Sequence, residues 1–419
     1  MIKDRINYGY LLACFLFFLI FPPIIALPVV IFMVWMKKTP NYSDYLLLMI
    51  CIAAYLGVIN ATKTPGGDQV NYYVAYKNVP VIGFWKSLIF IYGTSLMDDP
   101  NKTMLSPEFM NGVYNFFGYY LTFGYYPLFE FLLTFCSYML IFTGLYKFCS
   151  SLEKPHFPIV CGVLILLFFY LYFQFTLQIQ KQLLAQAIMM YVIGDYAYRG
   201  TLTIRTKIAM VFAIFTHQSM LFFVPFIVLK RFRTKMNKPT IFMVLIMLGL
   251  LIFFGPRLLG GGSSEQSSNV MMYGVNRFAQ SETNNDDAGG VSMIHIVVIA
   301  IPLAMICFKR MMGYQKRFVA SQAFLVLVVL LILVTVFAMT RQPTAQYRFF
   351  MMLMPFMPFV YPLAFKNVAL RNYLLTALSF IMIGWFYLQF NKIIWHYAPE
   401  IDILIKSPII LIATNYAGI

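Results

Sequence analysis

Long apolar runs alternate with short polar interruptions along this chain, and the runs have the length of membrane crossings. A helix needs about 20 apolar residues to cross about 30 Å of hydrocarbon. Stretches of that kind lie near 10–35, 44–60, 125–146, 157–176 and 179–198, and then near 241–256, 292–308, 318–339, 347–365 and 372–391. In lipid every backbone N–H and C=O must be paired within its own segment, so all of them are expected to be helical. The fold class expected is an all-α polytopic integral membrane protein, a single transmembrane domain over 1–419 with about ten spans. The first stretch runs past Pro22 and Pro23 to Trp35, beyond a signal-peptide core, and reads as one crossing with the N-terminus outside.

The stretch 208–229 breaks the pattern. Thr216-His217-Gln218-Ser219 puts four consecutive polar residues in its middle, where a lone apolar helix would not accept them. The expectation is a re-entrant pair of half-helices with His217 at the tip and both ends cytoplasmic. Between 61 and 124, Gly and Pro turns mix with aromatic stretches such as Phe84-Trp85, the pattern of an external loop with interfacial helices. A second external loop, 257–291, carries Gly260-Gly261-Gly262-Ser263-Ser264 and reads as flexible.

Composition narrows the class further. Only 11% of the 419 residues are charged and 61% are hydrophobic, whereas a soluble chain carries about a quarter charged. Soluble enzymes, nucleic-acid binders and secreted disulfide scaffolds are excluded. The net charge of +16 belongs to topology: the clusters Lys230 to Lys238 and Lys309 to Arg317 mark cytoplasmic loops. Lys3 and Arg5, placed outside, fit that assignment worst. The six cysteines show no paired spacing, so neither a disulfide framework nor a zinc site is implied.

Four features can carry chemistry. Gly66-Gly67-Asp68-Gln69-Val70-Asn71-Tyr72 lets the backbone turn sharply and present a carboxylate; taken alone it is a turn. Gln178, Lys181, Gln182 and Gln186 form a polar stripe at helical spacing, which in lipid must face a cavity or another helix. His217 with Ser219 offers an imidazole able to exchange a proton near neutral pH, or a satisfied structural histidine. Arg341 and Arg348 flank Tyr347 at the start of a late span, where an arginine can bind phosphate or snorkel to headgroups.

Taken together and in this order, the four features resemble the Wzy-type polymerases of bacterial O-antigen and exopolysaccharide, particularly the EpsG-like branch. Gly66, Asp68, Asn71 and Tyr72 match a motif after the second span, and Lys181 with Ala185 matches a basic residue and alanine opening a mid-chain span. His217 and Ser219 match a His-x-Ser, and Tyr347, Arg348 and Phe349 a late Tyr-Arg-Phe. Lys181 departs from the family's more frequent arginine and loses its fork-shaped donor set.

The resemblance implies a glycosyltransferase of GT-C-like architecture that joins undecaprenyl-diphosphate-linked oligosaccharide repeat units. It would act at the outer face of the bacterial cytoplasmic membrane, its site facing the periplasm or exterior, beside a Wzz-type chain-length regulator. In that reading His217 and Asp68 are catalytic, Arg348, Arg341 and Lys181 hold the diphosphate, and Asn71, Tyr72, Ser219, Gln178 and Tyr347 position substrate. No carboxylate cluster of the magnesium-binding kind is present in the sequence, so no metal or cofactor is expected. The competing readings are a flippase or other transporter of the same lipid-linked units and an O-antigen ligase-like transferase.

Overall fold

The structure, a computed structural model, describes residues 6–64, 68–89, 108–167, 180–229, 296–313, 320–339, 343–390 and 400–414, with isolated positions between 239 and 250. Among the described residues there is no strand. In chain order the helices are α1 (Tyr8–Ile20), α2 (Pro23–Trp35), α3 (Tyr42–Ala61), α4 (Asp68–Lys77), α5 (Val79–Ile89) and α6 (Met110–Leu121). Next come α7 (Tyr126–Cys149), α8 (His156–Leu167), α9 (Gln180–Arg199), α10 (Ile204–Thr216) and α11 (Val224–Val228). The second half contributes α12 (Ile301–Gly313), α13 (Ala320–Ala338), α14 (Pro343–Leu353), α15 (Met357–Val360), α16 (Val368–Phe390), α17 (Glu400–Ile405) and α18 (Pro408–Thr414). Among the described residues, α3, α7 and α16 are long and apolar enough to cross a membrane.

The stretch 10–35 is not one crossing. The chain leaves helical geometry at Phe21 (ψ 149°), before a Pro22-Pro23 pair that cannot continue the helix. Each half has 13 residues, about 20 Å at 1.5 Å per residue. The halves form a hairpin whose two open ends meet the same end of α3. Asn7 N–H donates to Ser43 Oγ (3.1 Å) at the start of α1, and Lys37 Nζ pairs with Asp44 Oδ1 (2.6 Å) just after α2. Lys37 also lies 5.8 Å from the Tyr10 ring centre, clasping one arm to the other. The chain therefore enters α1 from the side on which Lys37 leaves α2, a return on one side rather than the single crossing expected of 10–35.

At the centre α7 packs against both α3 and α9. The α7/α9 crossing is a glycine contact: a Cβ on Gly194 would lie 2.4 Å from the Gly144 carbonyl oxygen. Small residues at such a crossing let two backbones approach without lipid between them. From the foot of α9 the chain reverses at Gly200, whose φ of +71° suits glycine, and α10 climbs back along α9. Thr203 accepts the Thr206 N–H as its N-cap.

Over one end of this bundle lie α4, α5 and α6. Gly112 of α6 presses against the Ser87 backbone of α5, and Phe84 stacks edge-on against Phe116 and Phe117. Val81, Trp85, Phe117 and Phe123 stay exposed, a pattern suited to the headgroup region. The short helices α17 and α18 fold back onto α2, and onto α1 and α3, and Tyr125 OH donates to the Ile412 carbonyl (2.7 Å).

Candidate active site

The first turns of α9 supply a polar face, and each side chain on it has a distinct destination. Gln186 Nε2 donates to the Met351 carbonyl of α14 (3.0 Å). That carbonyl has no N–H four residues on, because position 355 is proline. One turn earlier, Gln182 Nε2 donates to the Arg348 carbonyl (3.2 Å). The two glutamines thus seat α14 alongside α9, with the backbone of Arg348 beside the residue that follows Lys181.

Lys181 is 3% exposed, and its ammonium is aimed at the base of the overlying helices. Nζ lies 3.4 Å from Glu108 Oε2, in the turn before α6, and 5.7 Å from the centre of the Tyr72 ring of α4. The other Glu108 oxygen, Oε1, accepts the Gln218 backbone N–H (3.2 Å). This N–H is free for it because α10 ends at Thr216 and His217 is extended (φ −153°, ψ 121°). Burial raises the Glu108 carboxyl, but His217, Lys181 and the Gln218 N–H together outweigh burial and hold it below its usual value.

His217 Nδ1 lies 2.6 Å from Ser219 Oγ and accepts the Ser219 backbone N–H at 3.3 Å. An Nδ1 that accepts a backbone N–H leaves the proton of the neutral ring on Nε2. In that form the imidazole presents Nε2 as a donor.

A second polar knot adjoins the first. Glu130 of α7 accepts Asn60 Nδ2 (2.8 Å) from α3 and the Gln180 amide from α9, and Asn60 Nδ2 also reaches Thr134 Oγ1 (2.9 Å). Gln180 Nε2 lies 3.1 Å from Tyr126 OH. Lys63, 1% exposed just past α3, is pulled below its usual value by burial and pushed back up by the Glu130 charge. Three helices are tied by groups that all need one another, one residue from Lys181.

Around these charges several buried polar atoms lack a partner: Asn111 Oδ1, Tyr114 OH, Gln180 Oε1 and Gln182 Oε1. Each such atom costs about 1–3 kcal/mol when left unmatched away from water. Burial, then the charges of Glu108 and Glu130, push the Tyr114 phenol up, so it stays neutral.

The structure thus brings Tyr72, Lys181, His217 and Ser219 around Glu108, with the Arg348 backbone one hydrogen bond from Gln182. Asp68 opens α4, one helical turn ahead of Tyr72, and Asn71 is half-buried on the same helix. Tyr347 is half-buried against the core. Gln178 and Arg341 lie outside the described residues. Glu108 was not singled out by sequence. It is a lone acid in no motif, and its only signal was being one of few carboxylates in an external segment that faces a buried lysine.

No curated protein and no solved structure matches the chain. The model of the EpsG family matches it over residues 44–401, a range that runs from the first turn of α3 to the start of α17 and takes in every residue of the cluster around Glu108. The chain belongs to the EpsG family, so the resemblance to the EpsG-like branch is borne out.

Proposed function

We propose that the protein is a polysaccharide polymerase that joins undecaprenyl-diphosphate-linked oligosaccharide repeat units at the outer face of the bacterial cytoplasmic membrane. Family membership supports the polymerase role. One observation carries the mechanism: a buried lysine, a carboxylate and an imidazole from distant segments converge at Lys181, Glu108 and His217, beneath α4 and α6. The opposite end of the bundle gathers Lys37, Lys147, Arg199 and Arg371. Basic residues collect on the cytoplasmic side, which supports an outward-facing site.

Transfer requires an acceptor hydroxyl to attack the anomeric carbon of the donor sugar. A new C–O bond forms, the bond to the diphosphate oxygen breaks, and the hydroxyl proton passes to a base. Lys181 and Arg348 stabilise the departing diphosphate, with His217 Nε2–H as a further donor. Glu108 has both oxygens engaged, so it acts as a positioning residue that fixes Lys181 and the 217–219 turn. The base is then Asp68, at the start of α4. The product is a lengthened chain on one carrier and free undecaprenyl diphosphate.

Purified protein given lipid-linked repeats should yield a ladder of polymers. A single product on a second acceptor would instead indicate a ligase, and repeats moved across the bilayer without a covalent product would indicate a flippase. In cells, Ala substitution of Asp68, Lys181, His217 or Arg348 should each shorten or abolish the polysaccharide at normal protein level. If all four variants still make long chains, the site assignment is wrong.

A further inference from the structure

We infer that Asn111, Tyr114, Gln180 and Gln182 form a subsite for sugar hydroxyls, beside the cations and separate from them. The inference rests on the glycosyl-transfer reading for the reaction, but its own support is the hydrogen-bond ledger of the site. Amide orientation is usually ambiguous, and here three amides are fixed by their donors. Asn111 Nδ2 donates to the carbonyls of Glu108 (2.9 Å) and Thr216 (3.5 Å), Gln180 Nε2 to Glu130, and Gln182 Nε2 to the Arg348 carbonyl. What remains unmatched on each is an oxygen. The three residues are 6%, 2% and 2% exposed, and the Tyr114 hydroxyl is equally sealed.

The chemistry of these atoms selects the ligand. Three acceptors, a hydroxyl and the unmatched Gln218 Nε2 donor on the residue that binds Glu108 call for a partner that both donates and accepts, which a sugar does at every hydroxyl and every N-acetyl group. An ionised diphosphate carries acceptors only, so amide oxygens would repel it. A cation would be opposed by Lys181, which adjoins Gln180 and Gln182 in the chain, and by Lys63, which shares Glu130 as a neighbour with Gln180. Gln180 and Gln182 flank Lys181 in the chain, Asn111 stands one turn past Glu108 with its amide on the Thr216 carbonyl, and Tyr114, a turn further along α6, lies within the fields of Glu108 and Glu130. The sugar end therefore docks against α6 and the first turn of α9, while the phosphate end meets Lys181 and Arg348.

Tyr114→Phe separates this from a structural role, since it deletes only an unmatched hydroxyl. The protein is placed in lipid nanodiscs. The probes are the oligosaccharide repeat released from producing cells by mild acid, and free undecaprenyl diphosphate. The expected result is about tenfold weaker binding of the repeat, unchanged binding of undecaprenyl diphosphate, and an unfolding temperature equal to or above the wild type. Gln182→Met should weaken the repeat in the same way. Unchanged repeat affinity in both variants overturns the subsite, as does a wild type that does not bind the repeat. Wild-type protein that binds the repeat yet makes no ladder would sink the polymerase reading and leave the subsite standing. A wild-type ladder with an equal KM in Tyr114→Phe would do the reverse.

Discussion

The two ends of α9 carry the same chemical pair, a lysine and a carboxylate reaching across to a neighbouring segment, and the pairs are built differently. At the foot, Asp195 accepts Lys147 Nζ at 2.6 Å and Arg199 Nε at 3.0 Å, and the same ammonium reaches Tyr191 OH at 3.1 Å and lies 4.2 Å from that ring. At the head, Lys181 and Glu108 stand 3.4 Å apart amid unmatched amide oxygens. The foot is short, crowded and saturated, as befits a clamp holding α7, α9 and the turn to α10. The head pair is longer and sits among amide oxygens that lack a partner, which is the arrangement expected where a ligand completes the set.

The sharpest way to break this contrast is to remove the lysine at the head. Lys181→Ala should cut polymer formation by about 100-fold or more, the scale of losing one charge-stabilising group in a transition state, when yield is normalised to protein level. Lys181→Arg, restoring the charge, should recover most of it. Equal loss in both variants would mean that Lys181 packs rather than acts.

At the foot the same operation should cost stability and spare turnover. Asp195→Asn removes the charge shared by Lys147 and Arg199, and hydrogen bonds to charged groups are worth about 1.5–3 kcal/mol each. Because Arg199 is half-exposed, the lower part of that range is expected. The measurement is unfolding temperature in detergent together with polymer formed per folded molecule. A normal unfolding temperature with lost activity would assign the foot to the site.

How much of this was legible in the sequence depends on whether the signal was local. The polar break at His217 is local, since four consecutive polar residues stand inside an apolar run, and α10 ends there. The lengths of α3 and α7 were likewise written in their apolar runs. The α1/α2 hairpin was locally marked by Pro22-Pro23, but a sum of apolar residues across the pair hid it. Glu108 was not legible, because what gives it a role is the arrival of Lys181 and the Gln218 N–H from residues far along the chain. The Glu130 knot was hidden for the same reason: Asn60, Glu130 and Gln180 share no motif, only a meeting of three helix ends.

Titration distinguishes the ends in a third way. The Glu108 carboxyl is held below its usual value of 4.5, so its contribution is present above the unfolded-state value and fades as pH falls through the folded one. Glu108→Gln should therefore be less stable than wild type at neutral pH by about 1–2 kcal/mol. The gap should persist down to about pH 4.5 and close at more acid pH as the wild-type carboxyl is itself protonated. A gap that widens with acid would mean that Glu108 is buried in its neutral form, and the pairing with Lys181 would not be its role.

The smallest effect gives the finest comparison, because Gln182 and Gln186 do the same work one turn apart. Each donates its amide to a carbonyl of α14 and leaves an oxygen unmatched. Gln186 serves the Met351 carbonyl, orphaned by Pro355, a turn further from Lys181. Gln186→Leu should cost about 1 kcal/mol, the worth of one neutral hydrogen bond, and leave the KM for lipid-linked repeats unchanged. If Gln186→Leu raises KM as Gln182→Met does, the polar stripe of α9 serves substrate along its whole length, and the division between an acting head and a clamping foot must be redrawn one turn deeper.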